Sequence, residues 1–164
     1  MKINEIAEEI VTRQSIIDAM VAKNWPQQLQ TEFGTEGLFD PPFSHGLNFV
    51  NGLDLQSTMP QVVSTQALLQ NKENQDIIPM VPPEVVDIIN KKWGTRFQSD
   101  PAKQYDTNPD RFIKYMKMSA ATAKPSIIVD GEIIFGNARF IAALLRGDKQ
   151  LKVWNLKRNS KATI

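Results

Sequence analysis

The chain has 164 residues, about the length of one domain, and 41% of them are hydrophobic, enough for a single buried core. It contains no cysteine and one histidine, His45, so disulfides, thiolate chemistry and histidine-based zinc sites are not expected. The net charge of +1 conceals an asymmetry: residues 1–138 carry 12 Lys and Arg against 17 Asp and Glu, whereas residues 139–164 carry 7 against 1.

The basic C-terminal end either faces an anionic partner or neutralises the acidic remainder within one fold. No apolar run has the length of a membrane span, and Glu5, Glu8 and Glu9 lie where a secretion signal would be basic. We therefore expect a cytoplasmic protein that does not contact membranes.

An amphipathic helix is predicted over residues 3–23, because apolar residues recur every three or four positions between charged ones. The residues that carry this pattern are Ile3, Ile6, Ile10, Ile17, Met20 and Val21. The helix either packs on the domain or pairs with itself in a homodimer. Residues 26–60 have no sustained period and are punctuated by glycine and proline, with phenylalanine between them. This segment is predicted to be ordered but irregular, with short strands, or to be an arm that becomes ordered only in an oligomer.

Two helices are predicted next from their end signals. Residues 64–74 form a short helix capped by Ser64 or Thr65. Residues 81–94 form a longer helix, with Pro83 in its first turn and Gly94 after its last.

A third helix is predicted over residues 108–125, with Asn108 as its cap and Pro109 as its first helical residue. Residues 95–107, which precede it, are polar and predicted to be a loop. The residues expected on the buried side of this helix are Phe112, Ile113, Met116 and Ala120.

The terminal segment has the clearest pattern. The apolar runs 126–129 and 132–135 flank Asp130-Gly131, a strong signal for a two-residue hairpin turn. Helical spacing follows over 137–146 and strand composition over 151–156. We therefore predict an α+β fold with a small mixed sheet and flanking helices, divided into an extension over residues 1–75 and a domain over residues 76–164.

Gly136 is predicted to lie where a strand ends and a helix begins. The first turn of a helix has unpaired N–H groups and partial positive charge, and a glycine lets an anion approach them closely. Arg139 lies in that first turn, where its planar guanidinium can bind the same anion, and Asn137 adds a polar group beside it. Alternatively, Arg139 pairs with Asp130 or Glu132, and the glycine serves only the turn.

Asp130 and Glu132 are the carboxylates nearest this motif, and either could act in catalysis or hold Mg²⁺ beside a phosphate. Asp130 is explained more simply as a turn residue and Glu132 as part of a solvated hairpin face, so no metal site is predicted. His45 lacks a spaced partner for general-base chemistry. Trp154 is expected in the core, with base stacking as its alternative role.

The segment "PSIIVDGEIIFGNARFIAALLRGDKQLKVWNL" resembles the ParB/sulfiredoxin-like superfamily. That family has a proline-led strand, a hairpin, a G-x-x-R turn that opens an alanine-rich helix, and a following strand. The resemblance covers residues 125–156 well and 76–158 loosely, and residues 1–75 have no counterpart. The matching residues are Pro125, Ile128, Val129, Asp130, Gly131, Gly136, Arg139, Ala142, Ala143 and Gly147.

The resemblance implies that the G-x-x-R turn binds nucleotide phosphates through Gly136 and Arg139, with a nucleoside triphosphate and Mg²⁺ as the expected ligands. Sulfiredoxins carry a cysteine inside this motif, where this chain has Asn137 and Ala138, so sulfinic-acid reduction is not expected. Partitioning ParB proteins have a glutamate where this chain has Asn137. Eight residues follow Leu156, so we also expect no helix-turn-helix module.

Two functions of different classes follow. The first is binding of a nucleotide or nucleic-acid phosphate at Gly136, Asn137 and Arg139, with nucleotide hydrolysis, phosphotransfer or nuclease activity as its enzymatic form. The second is a non-catalytic regulatory module that binds DNA, RNA or protein through the basic C-terminal end. Both suit an accessory protein of a phage or other mobile element.

Overall fold

The structure, a computed structural model, describes residues 10–104, 109–119 and 123–161. These residues form eight α-helices, one 3₁₀ turn and a five-stranded mixed sheet, so the predicted α+β class is confirmed. The helices are α1 Arg13–Ala22, α2 Gln27–Thr35, α3 Phe43–Asn51, α4 Thr65–Gln70, α5 Lys72–Gln75, α6 Pro83–Trp93, α7 Pro109–Tyr115 and α8 Asn137–Arg146, with the 3₁₀ turn at Ile78–Met80. The strands are β1 Leu53–Leu55, β2 Gln61–Ser64, β3 Ser126–Val129, β4 Glu132–Phe135 and β5 Gln150–Arg158.

The described residues form two compact units. The first contains those of Met1–Met59 and Leu156–Ile164, and the second is Pro60–Asn155. Strand β5 belongs to both, because its first part pairs antiparallel with β2 and its last three residues pair antiparallel with β1. Strand β5 therefore continues to Arg158, two residues beyond the strand predicted over residues 151–156, and Leu156 is fully buried.

The first unit contains two helices, α2 and α3, where the sequence predicted irregular structure. The prediction failed because Gly34 and Gly46 lie inside these helices and allow close packing instead of breaking them. A Cβ at Gly34 would lie 2.6 Å from the Phe39 ring, and one at Gly46 would overlap the carbonyl oxygen of Leu38. Aromatic residues fill this core, with Phe33 stacked on Trp25 at a centroid distance of 5.1 Å.

Helix α1 begins at Arg13, after a capping box in which Thr12 accepts a hydrogen bond from the Ser15 amide. It buries Ile16 and Met20, whereas Ile10 and Val21, both expected on the apolar face, are exposed. The predicted helix is therefore confirmed over α1 but wrong over residues 10–12, which are not helical, and its buried face was partly misassigned. The part of the prediction that concerns residues 1–9 lies outside the described residues.

The second unit confirms the predicted start of α4 and both predicted ends of α6. The single helix predicted over residues 64–74 is instead two helices, α4 and α5, separated by Asn71. Ser64 caps α4 by accepting a hydrogen bond from the Ala67 amide, so Ser64 and not Thr65 is the cap. Pro83 is the first residue of α6, and Gly94 ends it in the left-handed conformation. Residues 95–104 form no helix or strand, as predicted for this polar segment.

Helix α7 is shorter than predicted and ends at Tyr115. Phe112 is buried as expected, but Ile113 and Met116 are each 37% exposed, so their assignment to the buried side is wrong. The predicted cap Asn108 and the predicted core residue Ala120 lie outside the described residues.

The predicted hairpin, helix and final strand are all confirmed. Asp130 and Gly131 both have positive φ angles, as a two-residue hairpin turn between β3 and β4 requires. Helix α8 buries six consecutive residues, Phe140 to Leu145, and ends at Gly147. Trp154 is 1% exposed, so it is a core residue and cannot stack on a base. No helix of the described residues is both long and apolar enough to cross a membrane.

Candidate functional site

Gly136 joins strand β4 to helix α8 in the left-handed conformation, with φ 89° and ψ 33°. A Cβ at this position would lie 2.7 Å from Ser126 Oγ and 3.0 Å from Ser126 Cα. Backbone conformation and close packing therefore both require glycine here. The space left by the missing side chain is filled by Ser126, so the sequence-based explanation that this space admits an anion is wrong.

The first turn of α8 keeps the properties that favour an anion. No side chain among the described residues caps its start. The amides of Arg139 and Phe140 both donate to the Gly136 carbonyl oxygen, at 3.1 and 3.2 Å. The amides of Asn137 and Ala138 come before these in α8 and have no acceptor within the helix, and the helix dipole places partial positive charge at this end.

Arg139 is half-buried and fixed by a hydrogen bond to the main chain. Its Nη1 donates to the Pro125 carbonyl oxygen at 2.6 Å, which holds the guanidinium beside the residues that lead into β3. Arg139 therefore lies over the segment that precedes β3. The Pro125 bond orients the guanidinium, which has five donors in one plane and can bind several acceptors together.

A cavity of about 370 Å³ lies along the side of α8 that carries Arg139. Its volume is at the lower end of the range for small-molecule sites. Apolar atoms form most of its wall, including Tyr115, Met118 and Ala142. The remaining lining residues are Ser119, Ala123, Lys124, Ala138, Arg139 and Arg146.

The three cations of this cavity differ in their surroundings. Arg146 forms a salt bridge of 2.9 Å with Asp148 and donates to the Tyr115 carbonyl oxygen, so its charge is largely compensated. Lys124 is exposed and forms no salt bridge with a described residue. Because Arg139 binds the carbonyl of the residue after Lys124, these two lining cations lie close to one another in the chain path.

Asn137 begins α8 but does not line the cavity. Its Oδ1 atom is buried and accepts no hydrogen bond from a described residue. Buried acceptors are nearly always satisfied in native proteins, so this atom marks a place where a water or a ligand donor would be stabilised.

The two candidate carboxylates are not near this cavity. Asp130 lies in the hairpin turn and Glu132 begins β4, whereas Gly136 follows its end. The four residues of the strand separate the two ends by about 13 Å at 3.3 Å per residue. Neither carboxylate lines the cavity, and no group of three His, Cys, Asp or Glu among the described residues could hold a metal ion.

His45 lies in α3, within the first unit. It is exposed and lines a separate cavity with Asp40 and Phe49, and its side chain has no hydrogen bond or salt bridge to a described residue. The arrangement provides no partner for general-base chemistry.

Sequence reasoning missed Lys124, Tyr115 and Ala142 as members of the site. Lys124 had one available signal, because it precedes the proline that begins the motif strand. Tyr115 and Ala142 had none, because their place in the lining depends on how α7 packs against α8.

Comparison with family models, with curated proteins and with solved structures gave no match for this chain.

Proposed function

We propose that the second unit is a domain of the ParB/sulfiredoxin-like type that binds the phosphate of a nucleotide or nucleic acid beside Gly136, Asn137 and Arg139. The observation that carries this proposal is the position of Arg139, which is oriented by the Pro125 carbonyl and lines a cavity at the start of α8. A guanidinium and a helix N-terminus at one place attract an oxyanion.

The cavity wall supports a ligand that also has an apolar part. Met118, Ala138 and Ala142 offer contact surface without charge, and Tyr115 adds an aromatic side chain. A nucleotide combines a planar base with a phosphate, so its base would contact this wall while its phosphate binds Arg139 and Lys124. Inorganic phosphate alone would leave the apolar wall without a partner.

Nucleotide hydrolysis, phosphotransfer and nuclease cleavage all require more than this cavity offers. Phosphoryl transfer needs Mg²⁺ or a second cation, together with a group that positions the nucleophile. Asp130 and Glu132 lie at the far end of β4, so the metal would arrive with the triphosphate and be held by its oxygens. Phosphate binding is therefore the central proposal, and catalysis is its extension.

The test is thermal unfolding with a panel of nucleoside triphosphates, each with and without Mg²⁺. A ligand at one hundred times its Kd stabilises the folded protein by about 2.7 kcal/mol. We expect one or more nucleotides to stabilise the natural protein, and Arg139→Ala to lose that stabilisation. Arg139→Gln keeps a donor for the Pro125 carbonyl and separates ligand binding from the integrity of the turn.

Two further variants test whether the nucleotide binds in this cavity. Ala138→Leu fills the cavity without removing charge, so it should also abolish the stabilisation. Lys103→Ala removes an exposed cation outside the cavity and should leave the stabilisation unchanged. Equal nucleotide stabilisation of the natural protein and the Ala138→Leu and Arg139→Gln variants would rule out this site.

We also propose that the protein is cytoplasmic and forms a homodimer through its N-terminal extension. Val21 on α1 is 58% exposed and Ile10 before it is 63% exposed, which leaves apolar surface on this part of the first unit. Sedimentation of the natural protein and of Val21→Asp tests the dimer, because the aspartate should shift the protein to monomer. A monomeric natural protein at high concentration would contradict the proposal.

A further inference from the structure

We propose that the C-terminal ends of α6 and α8 form a second anion-binding surface, which binds the sugar-phosphate backbone of a nucleic acid. We call it the basic corner and define it by the exposed cations Lys91, Lys92, Arg96 and Lys149. It lies at the opposite end of α8 from Arg139, and none of its residues lines the cavity described above.

Two contacts join the ends of these helices. The indole Nε1 of Trp93, the last residue of α6, donates to the Leu144 carbonyl oxygen of α8 at 2.8 Å. A Cβ at Gly147 would lie 3.8 Å from Cδ of Lys92. Lys92 therefore lies against the turn that leads from α8 to Lys149.

Lys149 is placed by its backbone and by an aromatic ring. Its carbonyl oxygen accepts a hydrogen bond of 3.0 Å from the Thr65 amide. Its Nζ lies 5.1 Å from the centroid of the Trp93 ring, within the range of a cation–π interaction. Because Trp93 is the residue after Lys92, this contact brings the two lysines to one surface.

Arg96 is held near the same helix end by Asn90. The Asn90 side chain binds the amide and the carbonyl of Phe97, at 2.9 Å each, and the Thr95 hydroxyl at 2.8 Å. These bonds fix the loop that carries Arg96 against the last turn of α6.

The basic corner has more positive charge than the nearby carboxylates neutralise. None of its four cations forms a salt bridge with a residue in the described ranges 10–104, 109–119 and 123–161. The nearby carboxylate of Asp148 is held by Arg146 at 2.9 Å. Asp87, one turn before Lys91, is the exposed acid that remains on this part of α6.

Nucleic acid is the partner that fits these features. A helix C-terminus favours a nearby cation, which accounts for lysine in the last turn of α6 but not for a cluster gathered from one helix and two loops. Flexible, exposed lysines suit phosphates, which lie at repeated intervals along a backbone, better than they suit base edges. Binding through this corner should therefore be independent of sequence and sensitive to salt.

The test is fluorescence anisotropy with labelled 30-nucleotide DNA, RNA of the same sequence, and duplex DNA, from 50 to 200 mM salt (~30 nucleotides covers several phosphate contacts). The double variant Lys92→Gln, Lys149→Gln should bind more weakly. Its slope of log K against log salt should be smaller by about 1.4 on single strands and 1.8 on duplex. The matched control Lys72→Gln, Lys103→Gln has the same change in net charge at exposed lysines of the second unit.

Nucleotide-dependent thermal stabilisation distinguishes this corner from the cavity, because the corner variant should retain the stabilisation of the natural protein while its salt slope falls. The proposal is overturned by equal slopes in the corner and control variants, or by the absence of binding at the lowest salt. It is also overturned if Arg139→Ala abolishes binding while the corner variant retains the natural slope. Urea unfolding of each variant checks that the fold is kept.

Discussion

The Ser126 hydroxyl donates a hydrogen bond of 3.0 Å to the Gly136 carbonyl oxygen, and Ser126 also occupies the place of a side chain at Gly136. Both residues belong to the unit that carries the cavity, at the start of β3 and after the end of β4. This pair sets the path of the chain into α8, and thereby the direction of the Arg139 side chain.

Gly136→Ala is expected to destabilise the protein by about 3 kcal/mol or more. A left-handed non-glycine residue costs about 1–2 kcal/mol by itself, and the contact with Ser126 adds to it. Urea unfolding measures the change. Gly94→Ala is the matched control, because Gly94 has a similar positive φ with no atom within 4 Å of its Cβ position, so it should cost only the conformational part.

The double variant Ser126→Ala, Gly136→Ala tests the contact itself. Removing the hydroxyl leaves the nearest Ser126 atom 3.0 Å from the new Cβ instead of 2.7 Å. The double variant should therefore cost less than the sum of the two single variants. Strict additivity would show that the contact with the hydroxyl is not the source of the loss.

Asn74→Ala is expected to destabilise the protein by about 2–4 kcal/mol, because it leaves buried backbone groups without partners. The Asn74 side chain is fully buried. Its Nδ2 donates to the Leu68 and Gly131 carbonyl oxygens, and its Oδ1 accepts from the Ile133 amide at 2.8 Å. The Asn74 side chain thus provides hydrogen-bond partners for the Gly131 carbonyl and the Ile133 amide, where β4 begins.

Asn71→Ala is the control for Asn74, because its contact with Gly131 is longer, at 3.5 Å. It also caps α5 through a bond from the Glu73 amide, so its loss should cost about 1 kcal/mol. Chemical denaturation compares the two variants. A smaller loss for Asn74→Ala than for Asn71→Ala would contradict the role assigned to Asn74.

Stability of the first unit should fall slightly in acid through Asp54. The hydrogen bond from Asn159 holds the pKa of the Asp54 carboxyl below its ordinary value of 3.8, and Lys23 adds to this effect while burial opposes it. Because the folded pKa is the lower one, the stabilisation is present above pH 3.8 and is lost as pH falls through the folded pKa. The side chain is 45% exposed, so the effect is small.

Asp54→Asn should remove this part of the pH dependence of unfolding, measured between pH 2 and pH 6 (about two units on either side of the ordinary Asp pKa). Asp76→Asn, at an exposed carboxylate of the second unit, is the control. An identical acid profile for the natural protein and Asp54→Asn would contradict this prediction.

Asp148→Ala is expected to destabilise the second unit by about 1–3 kcal/mol. The salt bridge between Arg146 and Asp148 is largely buried, with side chains 10% and 19% exposed, and removing one partner leaves the other charge uncompensated. Asp148→Asn should cost less, because an amide oxygen still accepts from Arg146. Thermal unfolding compares the two variants, and equal losses of stability would show that the carboxylate charge of Asp148 does not contribute to stability.

Local signals in the sequence predicted the parts of the fold that depend on local physics. Ser64, Pro83, Gly94 and the Asp130-Gly131 turn each act within a few residues of the chain, and each has the predicted role. Gly46 was misinterpreted because the reason for glycine there is a contact with Leu38, which only the packed helices create.

The candidate site also has one part that local sequence signals predicted and another that only packing creates. Arg139 in the first turn of α8 followed from the G-x-x-R spacing. The Pro125 carbonyl that fixes Arg139, and the Tyr115 and Ala142 side chains that line the cavity, come together through packing between elements distant in the chain. Spacing alone carries no information about those contacts.

The division of strand β5 between the two units has a consequence for synthesis. A ribosome completes residues 60–155 before it makes the three residues that pair with β1, so the second unit can close while the first still lacks a strand. The part of the protein that is translated earliest should therefore acquire its protease resistance last. A nascent chain arrested before Leu156 should expose β1 and offer its unpaired edge to chaperones.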